Sequence, residues 1–166
     1  MRSELKYVAP APPPEERTQE QTQHNSFMDL YTDFGRRAGQ RLIISNRKVT
    51  KLGFWLLRYG SPSGDVTFGI RRITDDSLIY SQVWGDALDL QTVATYEELE
   101  FSDPQIINEE VRIFAQYLGG HNLDRVRVRM WYADVKPGEY LSYMYNTVWT
   151  DYTAMDCAYR YKYYQL

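Results

Sequence analysis

Cysteine is nearly absent: Cys157 stands alone, which excludes an internal disulfide framework and any multi-thiolate metal site. A lone cysteine of this kind is expected to pack as a small hydrophobe. Histidine is almost as scarce. His24 and His121 are far apart, and neither belongs to a His-Glu-x-x-His or Cys/His cluster, so the usual zinc arrangements are excluded. Both are read as solvent-facing. No apolar run approaches the roughly 18 residues needed to cross a bilayer as a helix. The start, Met1 to Val8, lacks the continuous apolar core of a signal peptide, so none is expected.

The motifs of common catalysts are missing too. There is no Gly-x-Ser-x-Gly elbow, and Gly60 and Gly64 lack the Lys-Ser/Thr ending of a phosphate loop. Glu97, Glu98, Glu100, Glu109 and Glu110 are plentiful, but nothing in their spacing sets one as acid and another as base. Asp65, Asp75, Asp76, Asp86 and Asp89 fall in turns without the spacing of a calcium loop. The expectation is a protein that is not an enzyme and carries no cofactor or metal.

What is present points to sheets. The hydrophobic fraction is 43%, enough for a core, and the aromatics comprise 15 Tyr and 4 Trp against only 6 Phe. Tyr and Trp favour strands and pair an apolar ring with a polar handle, which suits half-buried sheets and interfaces. The net charge of -3 argues against general phosphate binding, and direct nucleic-acid contact is not expected.

Four of the seven prolines lie in the first 14 residues, at Pro10, Pro12, Pro13 and Pro14. Glu15–Asn25 then lacks a large apolar anchor, so residues 1–25 are expected to form an extended or disordered arm. Leu5, Tyr7 and Val8 ahead of the prolines are candidate contacts to a neighbouring subunit. Residues 26–166 are expected to form a single β-sandwich domain.

Phe27, Leu30, Tyr31 and Phe34 fit a short helical turn or a first strand. From Val49 the period is two: Leu52, Phe54 and Leu56 on one side, Lys51, Gly53, Trp55 and Leu57 on the other. Tyr59-Gly60-Ser61-Pro62-Ser63-Gly64-Asp65 turns the chain, and Val66, Phe68 and Ile70 resume the alternation. Residues 104–118 match a helix period as well as a strand period; strand is preferred because its neighbours are strands. Val126, Val128, Met130 and Tyr132 alternate with Arg125, Arg127, Arg129 and Trp131. Tyr140–Val148 and Met155–Tyr163 complete about eight strands, with Met155, Cys157, Tyr159, Tyr161 and Tyr163 sharing a side. Many short strands between Gly, Pro and Asp turns, without helical crossovers, imply an all-β antiparallel sandwich.

The segments Val49–Leu56 and Tyr59–Ile70, together with Asp156-Cys157-Ala158-Tyr159-Arg160-Tyr161, resemble a jelly-roll β-sandwich module of bacterial surface proteins and phage or viral structural proteins. The likeness lies in a strand ending in Gly-x-Pro-x-Gly, the alternating strand after it, and the Asp-led aromatic last strand. Where that module has an Ala-Gly-Thr-x-Tyr-like turn, this chain has Asn108-Glu109-Glu110-Val111. The resemblance covers roughly residues 34–164 and brings no ligand residues with it. It implies a structural subunit of a virion or similar particle, assembled in a host cytoplasm: a capsid decoration, cement or tail-associated protein that contacts copies of itself or capsid and tail proteins.

Arg125, Arg127 and Arg129, with Trp131, are the candidate partner contacts on the folded domain, since a period of two places all four on one face. The alternative is a carbohydrate-binding or adhesive module at an extracellular surface, reached by non-classical export. Its sugar platform would be Trp84, Trp131 and Trp149. No membrane partner is expected.

Overall fold

Two long strands organise the molecule. In a computed structural model that describes residues 8–166, β1 (Glu16–Gln21), β2 (Ser26–Leu30), β3 (Gly35–Tyr59), β4 (Asp65–Arg72) and β5 (Leu78–Asp86) lead to a short 3-10 turn at Ala87–Asp89. Then come β6 (Thr95–Tyr117), β7 (Arg125–Trp131), β8 (Tyr140–Tyr145), β9 (Val148–Tyr152), β10 (Asp156–Cys157) and β11 (Tyr159–Gln165). Every pairing among the described residues is antiparallel. The fold is all-β, as the alternation of side chains requires.

β3 and β6 pair along nearly their full length, and their partners change halfway. The first half of β3 also pairs with β8, and the second half of β6 with β4; β5 and β9 extend that region outward. The second half of β3 pairs instead with β11 and β7, which carry β1, β2 and β10. The switch falls at two register shifts, Ile44/Arg47 and Val49/Lys51. Asn46 adopts a left-handed φ of 48° at the first, the conformation Asn tolerates best after Gly. Pro104 sits opposite the second, where the ladder is interrupted and no N–H is required.

The two halves fold over one core, the layout of a β-sandwich. Leu52, Phe54 and Leu56 from one half and Val66, Phe68 and Ile70 from the other are fully buried in a single cluster. Phe54 meets Phe68 edge to face at 5.2 Å. Val126, Val128 and Met130 enter the same core, and the last strand adds Cys157, Tyr159, Tyr161 and Tyr163. Burial in this apolar setting pushes the Cys157 thiol well above its ordinary range, so it is a packing group rather than a nucleophile.

Three expectations change. Glu16–Gln21 is not part of a free arm; it pairs with β11 from Glu16↔Tyr164 to Gln21↔Tyr159. Its anchors are hydrogen bonds rather than apolar burial. Thr50 Oγ1 donates to Glu16 Oε1 at 2.6 Å, and Tyr161 Oη to Gln19 Oε1 at 3.0 Å. The sheet therefore begins at Glu16, not at residue 26. Tyr140–Val148 is not one strand either: Asn146, at φ 53°, turns the chain into a β8–β9 hairpin. The last strand is broken at Ala158, leaving β10 on β7 and β11 on β3. The ambiguous residues 104–118 lie within β6 up to Tyr117, and Phe27–Leu30 lie in β2.

Candidate interaction face

β7 carries three arginines on one face, and its neighbours decide how that charge is met. Val126, Val128 and Met130 point into the core, so Arg125, Arg127, Arg129 and Trp131 face outward, each half-buried. β2 lies beside β7 with Asp29 opposite Arg127 and Phe27 opposite Arg129. Arg127 Nε donates to Asp29 Oδ1 at 2.9 Å. Arg125 Nε lies 3.2 Å from the same oxygen, out of line for a hydrogen bond. One carboxylate thus serves two guanidinium groups.

Rings fill the spaces between the cations. Arg127 lies 3.9 Å from the Phe27 ring centre and 4.7 Å from that of Tyr59; Arg125 lies 4.8 Å from Tyr59 and 6.0 Å from Tyr31. Such contacts stabilise a cation by about 0.5–1 kcal/mol at exposed sites and more where water is excluded.

Arg129 is different. It forms no ion pair among the described residues, and its Nε donates to His24 Nδ1 at 3.1 Å. Accepting that bond requires an unprotonated Nδ1. Burial, followed by the charge of Arg129, lowers the His24 pKa, in keeping with that state. Burial and the charge of Arg127 likewise lower that of Arg129. His24 is also the link to a second cluster: its ring lies 6.4 Å from Trp55, which lies 4.7 Å from Tyr96. Arg160 spans both rings, at 5.4 and 4.6 Å, and pairs with Glu20 of β1. Tyr96 can lie flat here because Gly53 is beneath it; a Cβ on that glycine would come within 2.6 Å of the ring. The result is a continuous band of alternating rings and cations along one outer face, in excess of positive charge around Arg129.

Sequence periodicity correctly places Arg125, Arg127, Arg129 and Trp131 on one face. It does not reveal Asp29, Phe27, Tyr59, His24, Trp55, Tyr96 or Arg160, which lie on other strands and reach the band only through sheet pairing. Val8 is 85% exposed, and the residues from it to Glu15 are all exposed. Leu5 and Tyr7 lie outside the described residues. The three tryptophans do not form one platform. Trp84 on β5 packs against the core, and Trp131 lies on the outward face of β7 with the three arginines. Trp149 on β9 lies 4.9 Å from Arg112 and donates its Nε1–H to Asp76 at 3.0 Å, in the other half of the sandwich.

The interior also holds a polar network that sequence reading did not single out. Asp156, fully buried, accepts from Gln40 Nε2 at 2.5 Å and from the backbone N–H groups of Val135 and Lys136 at 2.7 and 2.9 Å. Gln40 in turn accepts from Cys157 N at 2.8 Å. Glu139 accepts from Tyr159 Oη at 2.6 Å and Gln19 Nε2 at 3.0 Å. Burial raises the pKa of both carboxyls. Beside them a polar groove of about 260 Å³ is lined by Glu20, Gln21, Thr22, Gln23, Val135 and Lys136. With both carboxylates already committed to donors that define the chain's own geometry, this network is a structural clamp on the 132–139 loop.

Comparison with models of known families and with curated proteins finds no match to this chain.

Proposed function

We propose that this chain is a non-enzymatic structural subunit of a virion or similar multisubunit particle, a jelly-roll-like sandwich that docks against neighbouring copies or companion subunits. The observation that supports it is the ring-and-cation band, where Arg129 pairs with no carboxylate among the described residues and Asp29 is shared by two arginines. Aromatic rings and arginines are the residue types enriched at interface hot spots. The matching surface is acidic, which fits a chain whose own net charge is -3. The exposed, proline-stiffened lead into β1 is a second contact, laid along a neighbour and gaining order there.

Sedimentation of the full chain across a wide concentration range tests this reading. Salt-sensitive assembly is expected, and Arg129→Glu should weaken it by about tenfold or more with only a small change in Tm, because among the described residues Arg129 makes no ion pair and only the single side-chain hydrogen bond to His24. A chain that stays monomeric throughout, or assembly indifferent to Arg129→Glu, counts against it. Removing residues 1–14, which leaves β1 intact, is expected to reduce assembly while Tm stays the same. A Tm loss as large as that from a core substitution would instead make the lead a part of the fold. The carbohydrate-binding alternative loses the platform proposed for it, since Trp84, Trp131 and Trp149 lie on different strands and Trp84 packs against the core.

A further inference from the structure

The outer face of the other half of the sandwich carries four arginines in two unlike pairs. β3, β6 and β4 align Arg41, Arg112 and Arg71 in one row and Gly39, Phe114 and Gly69 in the next, with Arg37 opposite Gln116 beyond them. Arg41 and Arg112 are fully matched. Arg41 forks onto Glu110 at 2.8 and 3.0 Å and reaches Asp151 at 2.8 Å, while Arg112 reaches Asp151 at 3.0 Å.

Arg37 and Arg71 are not matched in this way. Arg37 forms no ion pair among the described residues; its Nε donates to Gln116 Oε1 at 2.6 Å, and its Nη1 is directed at the Met144 thioether at 3.0 Å. A thioether is a weak acceptor for a charged donor. Arg71 donates Nη1 to the Asp76 carbonyl at 2.6 Å and lies 3.7 Å from the Asp76 carboxylate, but its buried Nε has no acceptor. Both guanidinium groups are held over one ring, Phe114, at 5.6 and 5.9 Å from its centre. That ring rests on Gly69, where a Cβ would come within 2.6 Å, and is only 1% exposed. Burial, then the charges of Arg71 and Arg36, works against the cationic form of Arg37, with Asp76 opposing them. Half-buried cations held close together with unused donors call for a negative group.

We propose that Arg37 and Arg71 together bind an oxyanion, a carboxylate or phosphate group, above the Phe114 ring. A guanidinium offers paired donors in a planar fork that suits either group. The inference is independent of the assembly reading, since this face lies on the opposite half of the sandwich from the Arg129 band.

The test uses the full chain at constant ionic strength, titrated with inorganic phosphate and, separately, with N-acetylglutamate, while the Nε–H signals of Arg37 and Arg71 are followed by NMR. Both signals should move along a saturating curve with at least one of the two anions, and whichever anion saturates names the group. Arg37→Gln should weaken binding by about tenfold or more, while Arg36→Gln should leave it within about twofold. A thermal shift of about 3 °C at ten times the half-saturating concentration should accompany binding in the parent chain. Non-saturating drift of the signals with both anions, or the same curve in Arg37→Gln, would overturn the proposal. Should Arg37→Gln fail to fold, the titration of the parent chain decides alone.

Discussion

Replacing Asp156 by alanine is expected to lower stability by about 3 kcal/mol or more, a Tm loss on the order of 10 °C for a chain of this size. Three donors converge on this carboxylate, and two of them are backbone N–H groups of the loop before β8. Each donor left without an acceptor in a buried site costs roughly 1–3 kcal/mol. The Gln40 amide cannot compensate by turning over, because its oxygen already accepts from Cys157 N. Asp156→Asn should cost less, about 1–2 kcal/mol: one oxygen still serves the loop, but an NH₂ group then faces the Gln40 NH₂. Denaturant unfolding of the three proteins checks the order, and an Asp156→Ala loss below about 1 kcal/mol would remove the clamp from the account.

The same carboxyl sets a pH dependence. Burial raises the folded-state pKa of Asp156 and of Glu139 above their ordinary values of 3.8 and 4.5. In that direction the folded protein holds the proton longer than the unfolded chain. Their contribution to stability is therefore full below the ordinary values and is lost as pH rises through the raised ones. Asp151 works the other way. Burial pushes its carboxyl up, but hydrogen bonds from Ser142, Arg112 and Arg41 overcome this and hold it below the ordinary range. Its contribution is present above that range and is lost as pH falls through the depressed value. In Asp156→Asn, the loss of Tm with rising pH should shrink to the part due to Glu139, while the fall on the acid side persists. Identical Tm–pH curves for the two proteins would contradict the burial argument.

Phe54→Ala should be the most damaging core substitution, at about 3–5 kcal/mol. Phe54 is fully buried between Leu52 and Leu56, and its ring edge meets Phe68 from the opposite half of the sandwich. Truncation leaves a cavity where the two halves are pressed together, and neither sheet can close it without breaking register. Leu57→Ala, on the half-buried outer side of the same strand, should cost about 1–2 kcal/mol, since less apolar area leaves water there. Urea unfolding of both variants measures the difference. Similar losses at the two positions would mean that β3 does not divide its faces between core and surface.

Strand identity was legible where one face of the strand is buried. In β7 every second side chain is apolar, so the pattern could be read without any knowledge of neighbours. The same holds for Leu52, Phe54 and Leu56, and for Cys157, Tyr159, Tyr161 and Tyr163. β1 defeated that reading because it has almost nothing apolar to bury. Its place comes from an open ladder on β11, about 140 residues away in sequence, with Arg160 and Tyr161 as partners for Glu20 and Gln19. The break at Ala158 escaped notice because it depends on which strand lies alongside, β7 before it and β3 after it, whereas the turn at Asn146 had a local signal in an asparagine that tolerates positive φ, masked by the apolar alternation around it.

The sequence by itself determined that the chain from Val49 onward is built of strands, which side is buried in those strands that carry an apolar face, and that three arginines and a tryptophan share a surface. These follow from side chains alternating along an extended backbone, a property confined to a few neighbouring residues. Only the tertiary structure decided which charges are answered. Asp29 meets Arg127 across 98 positions of sequence, and Arg112 meets Asp151 across 39. Among the described residues, Arg129 and Arg37 pair with no carboxylate because strand pairing, which joins distant segments, brought His24, Gln116 and Met144 to them instead.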